Sequence, residues 1–193
     1  MNQNQNNELI QLPAERQAPP KGMLLHCGGE TVDRDEVYGV PTPAGTETWY
    51  PLPHSGVIME VESQLQAAGF LVTNEGHALS HEGARYFGLL EVTTPGEGNG
   101  GHREYGWVVG IRNSHDKSYP AGLVAGSKVF VCDNLAFTGE VKISRKHTRY
   151  AARDLRHLTS RAVGQLGDKF HALDRRIDAY RDKPVSNRLA HDT

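Results

Sequence analysis

The chain has 193 residues, 37% of them hydrophobic and 23% charged, with a formal net charge of -2. That length suits one domain with a sizeable core, and no apolar run approaches the roughly 18 residues that a membrane span needs. The polar start, Met1-Asn2-Gln3-Asn4-Gln5-Asn6-Asn7, carries no signal-peptide core, so the expected location is the cytoplasm and no membrane partner is expected. Cys27 and Cys132 make neither a disulfide framework nor a metal motif by themselves and read as free buried thiols.

The net charge hides an asymmetry. Residues 1–140 carry 8 Lys and Arg against 17 Asp and Glu, whereas residues 141–188 carry 13 against 5. Charge divided in this way points to a polyanionic partner for the basic part, or to pairing within or between chains.

Residues 1–22 are rich in Asn and Gln, then in Ala, Pro and charge. Without apolar periodicity they read as a disordered N-terminal arm. A single domain is expected over 23–183, with a tail at 184–193. Met23 to His26 is a short apolar segment suited to an edge strand and ended by Gly28-Gly29. Pro41, Pro43, Pro51 and Pro53 punctuate a connection that cannot supply a central strand. Ser55 is placed to cap a helix of about three turns, with Ile58, Val61, Leu65 and Ala68 on one face and Gly69 as its left-handed terminator.

Phe70 to Thr73 reads as a strand, Asn74-Glu75-Gly76 as a turn, and Ala78 to Ser80 as the returning strand. Arg85 to Thr93 is a longer strand in which Phe87, Leu89 and Glu91 alternate with Tyr86, Gly88, Leu90 and Val92. A glycine-rich turn at 95–101 leads to a strand with Tyr105, Trp107, Val109 and Ile111 on one face and Gly106 and Gly110 on the other. A polar tip, Arg112-Asn113-Ser114-His115-Asp116, separates it from a second strand over Ser127 to Asp133, which ends at Asn134. A basic run from Lys142 to His147 follows.

From Arg149 to Asp182, Ala151, Leu155, Leu158, Ala162, Leu166, Phe170, Leu173, Ile177 and Tyr180 recur at helical spacing. Thr148 is its candidate cap, Gly164 or Gly167 its expected bend or break, and Pro184 its end. This order predicts an α+β fold: an antiparallel β-meander flanked by a short N-terminal helix and a long C-terminal helix.

Three functions compete. In the first, Lys142, Arg145, Lys146, Arg149, Arg153 and Arg156 neutralise phosphates of nucleic acid, single-stranded DNA being favoured, while Tyr119 or Tyr150 offers a stacking face. At helical spacing Arg149, Arg153 and Arg156 point away from the Ala151/Leu155/Leu158 stripe. In the second, the chain is a metal-dependent hydrolase or nuclease. No cofactor is expected, but a divalent metal is possible, with His77, His81 and His115 as candidate ligands and His102, Asp116, Asp133 and His147 in support. In the third, it is an assembly module, a homo-oligomer or a partner of a host protein. The polar tip, Arg112, Asn113, His115 and Asp116 with Asn134, is a candidate functional cluster, although Asn113, Ser114 and Asn134 also suit turn capping. With no nucleophile or second carboxylate at a recognisable spacing, the balance leans away from an enzyme.

Several residue runs resemble a family of uncharacterised phage- and plasmid-borne proteins. They are Leu52-Pro53-His54, Gly76-His77-Ala78-Leu79-Ser80-His81-Glu82-Gly83, Arg112-Asn113-Ser114-His115-Asp116, Val131-Cys132-Asp133-Asn134-Leu135 and Arg145-Lys146-His147-Thr148. Lys117-Ser118 stands where the family usually has Gly-Ser. The order of elements is also similar to that of phage single-strand annealing proteins, a likeness of architecture that transfers no residue roles. The resemblance implies a phage- or plasmid-borne origin, with the host cell as the setting, and is nearly silent on activity.

Overall fold

The computed structural model describes residues 28–94, 105–129 and 137–181. The N-terminal arm, the Met23–His26 segment, the 95–101 turn, His102, Asp133, Asn134, both cysteines and the C-terminal tail lie outside the described residues.

Six strands, β1 (Glu30–Val32), β2 (Leu71–Ser80), β3 (Arg85–Thr93), β4 (Tyr105–Ser114), β5 (Ala121–Val129) and β6 (Phe137–Arg145), form one sheet. Every neighbouring pair is antiparallel, and the spatial order is the chain order, β1-β2-β3-β4-β5-β6. Four helices accompany it: α1 (Arg34–Gly39), α2 (His54–Ala67), α3 (Ala151–Gly164) and α4 (Leu166–Arg181). The α+β meander with a short helix before it and a long helical segment after it is therefore the observed architecture.

All four helices pack on one sheet face. Residues paired across strands share a face, and the register aligns Leu90 with Val109, Val109 with Ala125 and Ala125 with Val141, all buried. Val57, Ile58, Val61 and Leu65 of α2 and Ala151, Leu155, Ala162 and Val163 of α3 complete this core. The Trp107 and Phe170 rings stack at 4.0 Å, and Phe70 meets Phe170 edge-on at 5.9 Å, which fixes α4 over the sheet. The alternation expected in β3 is present: Tyr86, Gly88, Leu90 and Val92 are buried and the residues between them half-buried. Among the described residues, no helix is long and apolar enough to cross a membrane.

Several boundaries differ from expectation, each for a physical reason. The N-cap position of α2 is Pro53, not Ser55, and Pro53 O accepts the Val57 amide; the fixed φ of proline suits a helix start. At the other end Gly69 has φ +85°, the left-handed terminator expected. Asn74-Glu75-Gly76 is not a turn but the middle of β2, where a bulge between Val72 and Asn74 absorbs the irregularity and Asn74 Nδ2 bonds Glu91; tertiary pairing overrides local turn preference. The second strand begins at Ala121, six residues earlier than expected, and ends at Val129. Lys142 and Arg145, in the basic run for which the sequence predicts no element, sit on a sixth strand. Tyr150, not Thr148, is the N-cap residue of α3, while Thr148 O accepts the Ala151 amide. The helical segment breaks after Gly164, as the glycine cost there implies.

Gly88 is a position where only hydrogen fits. The Tyr86 ring lies along β3, so that an added Cβ would stand 2.0 Å from its hydroxyl and 2.8 Å from Cζ. That hydroxyl bonds Nδ1 of His77, 2.9 Å away on β2, and Tyr86 is fully buried. Gly88→Ala must therefore displace a packed ring and leave a buried imidazole unsatisfied. The expected loss is about 2 kcal/mol or more, read as a lower urea midpoint with an unchanged slope.

Candidate nucleic-acid interface and the polar junction behind it

The backbone of Leu52 is held at one end of the sheet by three side chains. Its carbonyl accepts Asn113 Nδ2–H at 2.8 Å and His115 Nε2–H at 2.9 Å, both from the end of β4. Its amide donates to His147 Nδ1 at 3.2 Å, just past β6. The carbonyl of His147 also accepts the Tyr50 amide at 2.9 Å. The second Asn113 Nδ2 proton goes to His54 Nδ1 at 2.9 Å, and His54 Nε2–H donates to Gly83 O at 2.9 Å. These bonds set the tautomers of His54 and His147, whose accepting Nδ1 carries no proton, while His115 donates through Nε2 and its Nδ1 is buried without a partner, which favours the neutral ring. The His54 and His115 rings stack at 3.8 Å, nearly parallel.

All three imidazoles are therefore neutral hydrogen-bonding parts of a buried junction. Burial pushes His54 down to about 4, and the neighbouring His115 and His147 add to it. Burial likewise lowers His115, and burial together with His115 lowers His147.

The β4–β5 turn is fastened to this junction. Asp116 accepts the Arg85 Nε–H at 2.6 Å through Oδ2 and the Ser118 amide N–H at 3.0 Å through Oδ1. Slight desolvation of Asp116 is outweighed by these two partners, which hold its carboxyl well below the usual range. Lys117, where the resembling family carries glycine, adopts φ +65°, so the tight turn is kept in the left-handed region that glycine prefers. Arg112 lies over the Tyr119 ring at 5.4 Å, and Tyr119 also packs on Phe87. The polar tip is thus brought together, but as a structural corner; Asn134 is outside the described residues.

A second polar cluster joins α1, α2 and β2. The Arg34 guanidinium is gripped by Glu62 and Glu75. Desolvation of Arg34 is outweighed by these carboxylates, which raise its pKa. Burial of Glu75 is outweighed by His77 and Arg34, and its carboxyl falls to about 2. His77 is buried against Tyr86, His81 is exposed on the β2–β3 turn beside Ser80, and His115 belongs to the Leu52 junction. These three candidate ligands are therefore not assembled. Among the described residues, no group of three His, Cys, Asp or Glu side chains is arranged to hold a metal ion. His54, Arg34 and Glu62 take part without having been singled out by spacing; only the place of His54 beside Leu52-Pro53 in the resembling runs marked it.

The basic residues lie directly beyond the junction. Lys142 is exposed on β6, Lys146 and Arg149 are exposed on the segment between β6 and α3, and Arg153 and Arg156 are exposed on the first turns of α3, which buries Ala151 and Leu155. Arg145 differs: its Nη2 bonds Asp154 at 2.6 Å and Thr148 Oγ1 at 3.1 Å, so it ties β6 to α3. Asp154 also receives Arg153 Nε–H and Nη2–H, and Arg153 followed by Arg145 lowers its pKa. Tyr150 stands among these cations with 54% of its surface exposed.

The junction has a pH signature. His54 has a folded pKa of about 4 against an ordinary value of 6.5, so the unfolded chain binds more protons between those values and folding weakens as pH falls. Its contribution is complete above pH 6.5, erodes towards pH 4 and is lost below, about 3 kcal/mol for His54 alone. Urea midpoints measured from pH 7.5 to 4 are expected to decline, with a shallower decline in His54→Gln. A flat profile over that range would show that the imidazoles are not buried and neutral.

No protein-family model matches the chain, and no curated protein or solved structure does so either.

Proposed function

We propose that the chain binds nucleic acid, single strands in preference to duplex, through the outer surface of β6 and the first turns of α3. The observation that carries this reading is the run of exposed Lys146, Arg149, Arg153 and Arg156 along the exit from β6 and the first turns of α3, with Arg149 and Arg153 beside exposed Tyr150 and exposed Lys142 on β6 itself. Among the described residues, no carboxylate pairs with Lys142, Lys146, Arg149 or Arg156. These four are assigned to phosphates, and Arg145 to holding the surface together.

The acidic part of the molecule does not oppose this. Exposed Glu30, Asp33, Asp35 and Glu36 lie on β1 and α1, at the other edge of the sheet. Five interstrand steps of ~4.8 Å separate the edge strands by about 24 Å, several times the ~8 Å screening length at physiological salt. A polyanion at β6 therefore meets the basic field and little of the field of these four acids. The phage or plasmid setting that the resemblance implies belongs to the same proposal.

Labelled single-stranded and duplex DNA titrated across a salt series tests it. Affinity is expected to fall steeply with salt, because each neutralised phosphate releases counterion. In Arg149→Ala/Arg153→Ala/Arg156→Ala, which removes two of the four phosphate-assigned cations, the single-strand slope is expected to be shallower by about 1.4 and the affinity at least about tenfold lower. Absence of binding at low salt, or an unchanged triple variant, would remove the proposal.

A further inference from the structure

We infer that Tyr150 is a base-stacking platform, and that it is the source of the single-strand preference of this surface; the inference rests on the nucleic-acid reading above. The phosphate-binding cations cannot supply that preference, since phosphates are common to single strands and duplexes. An exposed aromatic face can, because only unpaired bases are free to stack on it.

Tyr150 sits where β6 hands over to α3, with its ring outside the core. The Arg153 guanidinium carbon lies 4.7 Å from the ring centroid and that of Arg149 lies 5.9 Å away. Arg153 is held in place: Asp154 accepts its Nε–H at 3.2 Å and its Nη2–H at 3.1 Å. Asp154 is itself tied to Arg145 on β6. The ring and its cationic neighbours are thus arranged before any ligand arrives, which reduces the ordering cost of binding. Tyr38 makes the contrast. It is also exposed and also beneath an arginine, but that arginine, Arg34, is committed to Glu62 and Glu75. Tyr150 is instead an exposed aromatic with the guanidinium groups of Arg149 and Arg153 at its ring, neither of them held by a pair of carboxylates.

The test uses the full chain, Tyr150→Ala and Tyr150→Phe, each against an oligothymidylate, an abasic oligonucleotide of the same length and a duplex. Melting curves establish that the variants fold; the ring is outside the core, so no change is expected. Tyr150→Ala is expected to bind oligothymidylate about 5- to 100-fold more weakly and to bind the duplex within about twofold of the parent. The parent is expected to prefer oligothymidylate over the abasic strand by a similar factor, a preference that Tyr150→Phe keeps and Tyr150→Ala loses. If the parent binds the abasic strand as well as oligothymidylate, or Tyr150→Ala changes neither, stacking is overturned while charge-driven binding stands. If the parent binds none of the three at low salt, both are overturned.

Discussion

The grip on the Leu52 backbone is the constraint from which the rest of the arrangement follows. One peptide group receives Asn113 and His115 at its carbonyl, and the same residue's amide gives its proton to His147. Those partners come from the ends of two different strands, and the chain they hold is the entry to α2. A Pro-rich segment has few amides of its own to spend on regular structure, so side chains do what a ladder would do elsewhere. The cost is that three imidazoles must remain neutral in a buried place, two of them stacked face to face. A protonated ring there would lose an acceptor and meet a like charge, so the joint between the helix layer and the strand ends is built to hold at neutral pH and to fail in acid.

Chain order in the sheet is what turns a sequence property into a surface. In a meander without crossovers, residues early in the chain lie at one edge and residues late in the chain at the other. The exposed acids at β1 and α1 and the basic residues from Lys142 onward therefore lie towards opposite edges. The Leu52 junction lies at the start of the basic surface, since His147 stands one residue after Lys146 and three before Tyr150. Asp154 completes the join by bonding Arg145 from the strand and Arg153 from the helix. A carboxylate within a basic run reads as an interruption of that run; here it holds two of its arginines in place.

Much of the architecture was legible in the sequence. Period-two alternation in β3, helical spacing in α2 and α3, and the left-handed Gly69 are local signals that tertiary contacts reinforce. The middle of β2 was not legible, because Asn74-Glu75-Gly76 has turn chemistry and is held extended by pairing with β3 and by Arg34 and Glu91, residues distant in sequence. The sixth strand alternates Val141 and Ile143 with Lys142 and Ser144, a half-buried pattern obscured by the charge of the same run. At the site, exposure of the cations on α3 followed from the helical period, but the commitment of Arg145 to Asp154 did not, since it crosses from a strand to a helix. The histidines show the limit most clearly. Spacing grouped His77 with His81, whereas the fold separates them and assembles His54, His115 and His147 from three distant stretches.

Hydrogen exchange of the full chain, with and without a saturating oligothymidylate at low salt, tests the central claim most directly. Slowed exchange over residues 141–157, with no change over β1 and α1, is the result expected of a nucleic-acid interface at the basic edge. Protection confined to the β1 edge, or no protection anywhere despite saturating ligand, would contradict it.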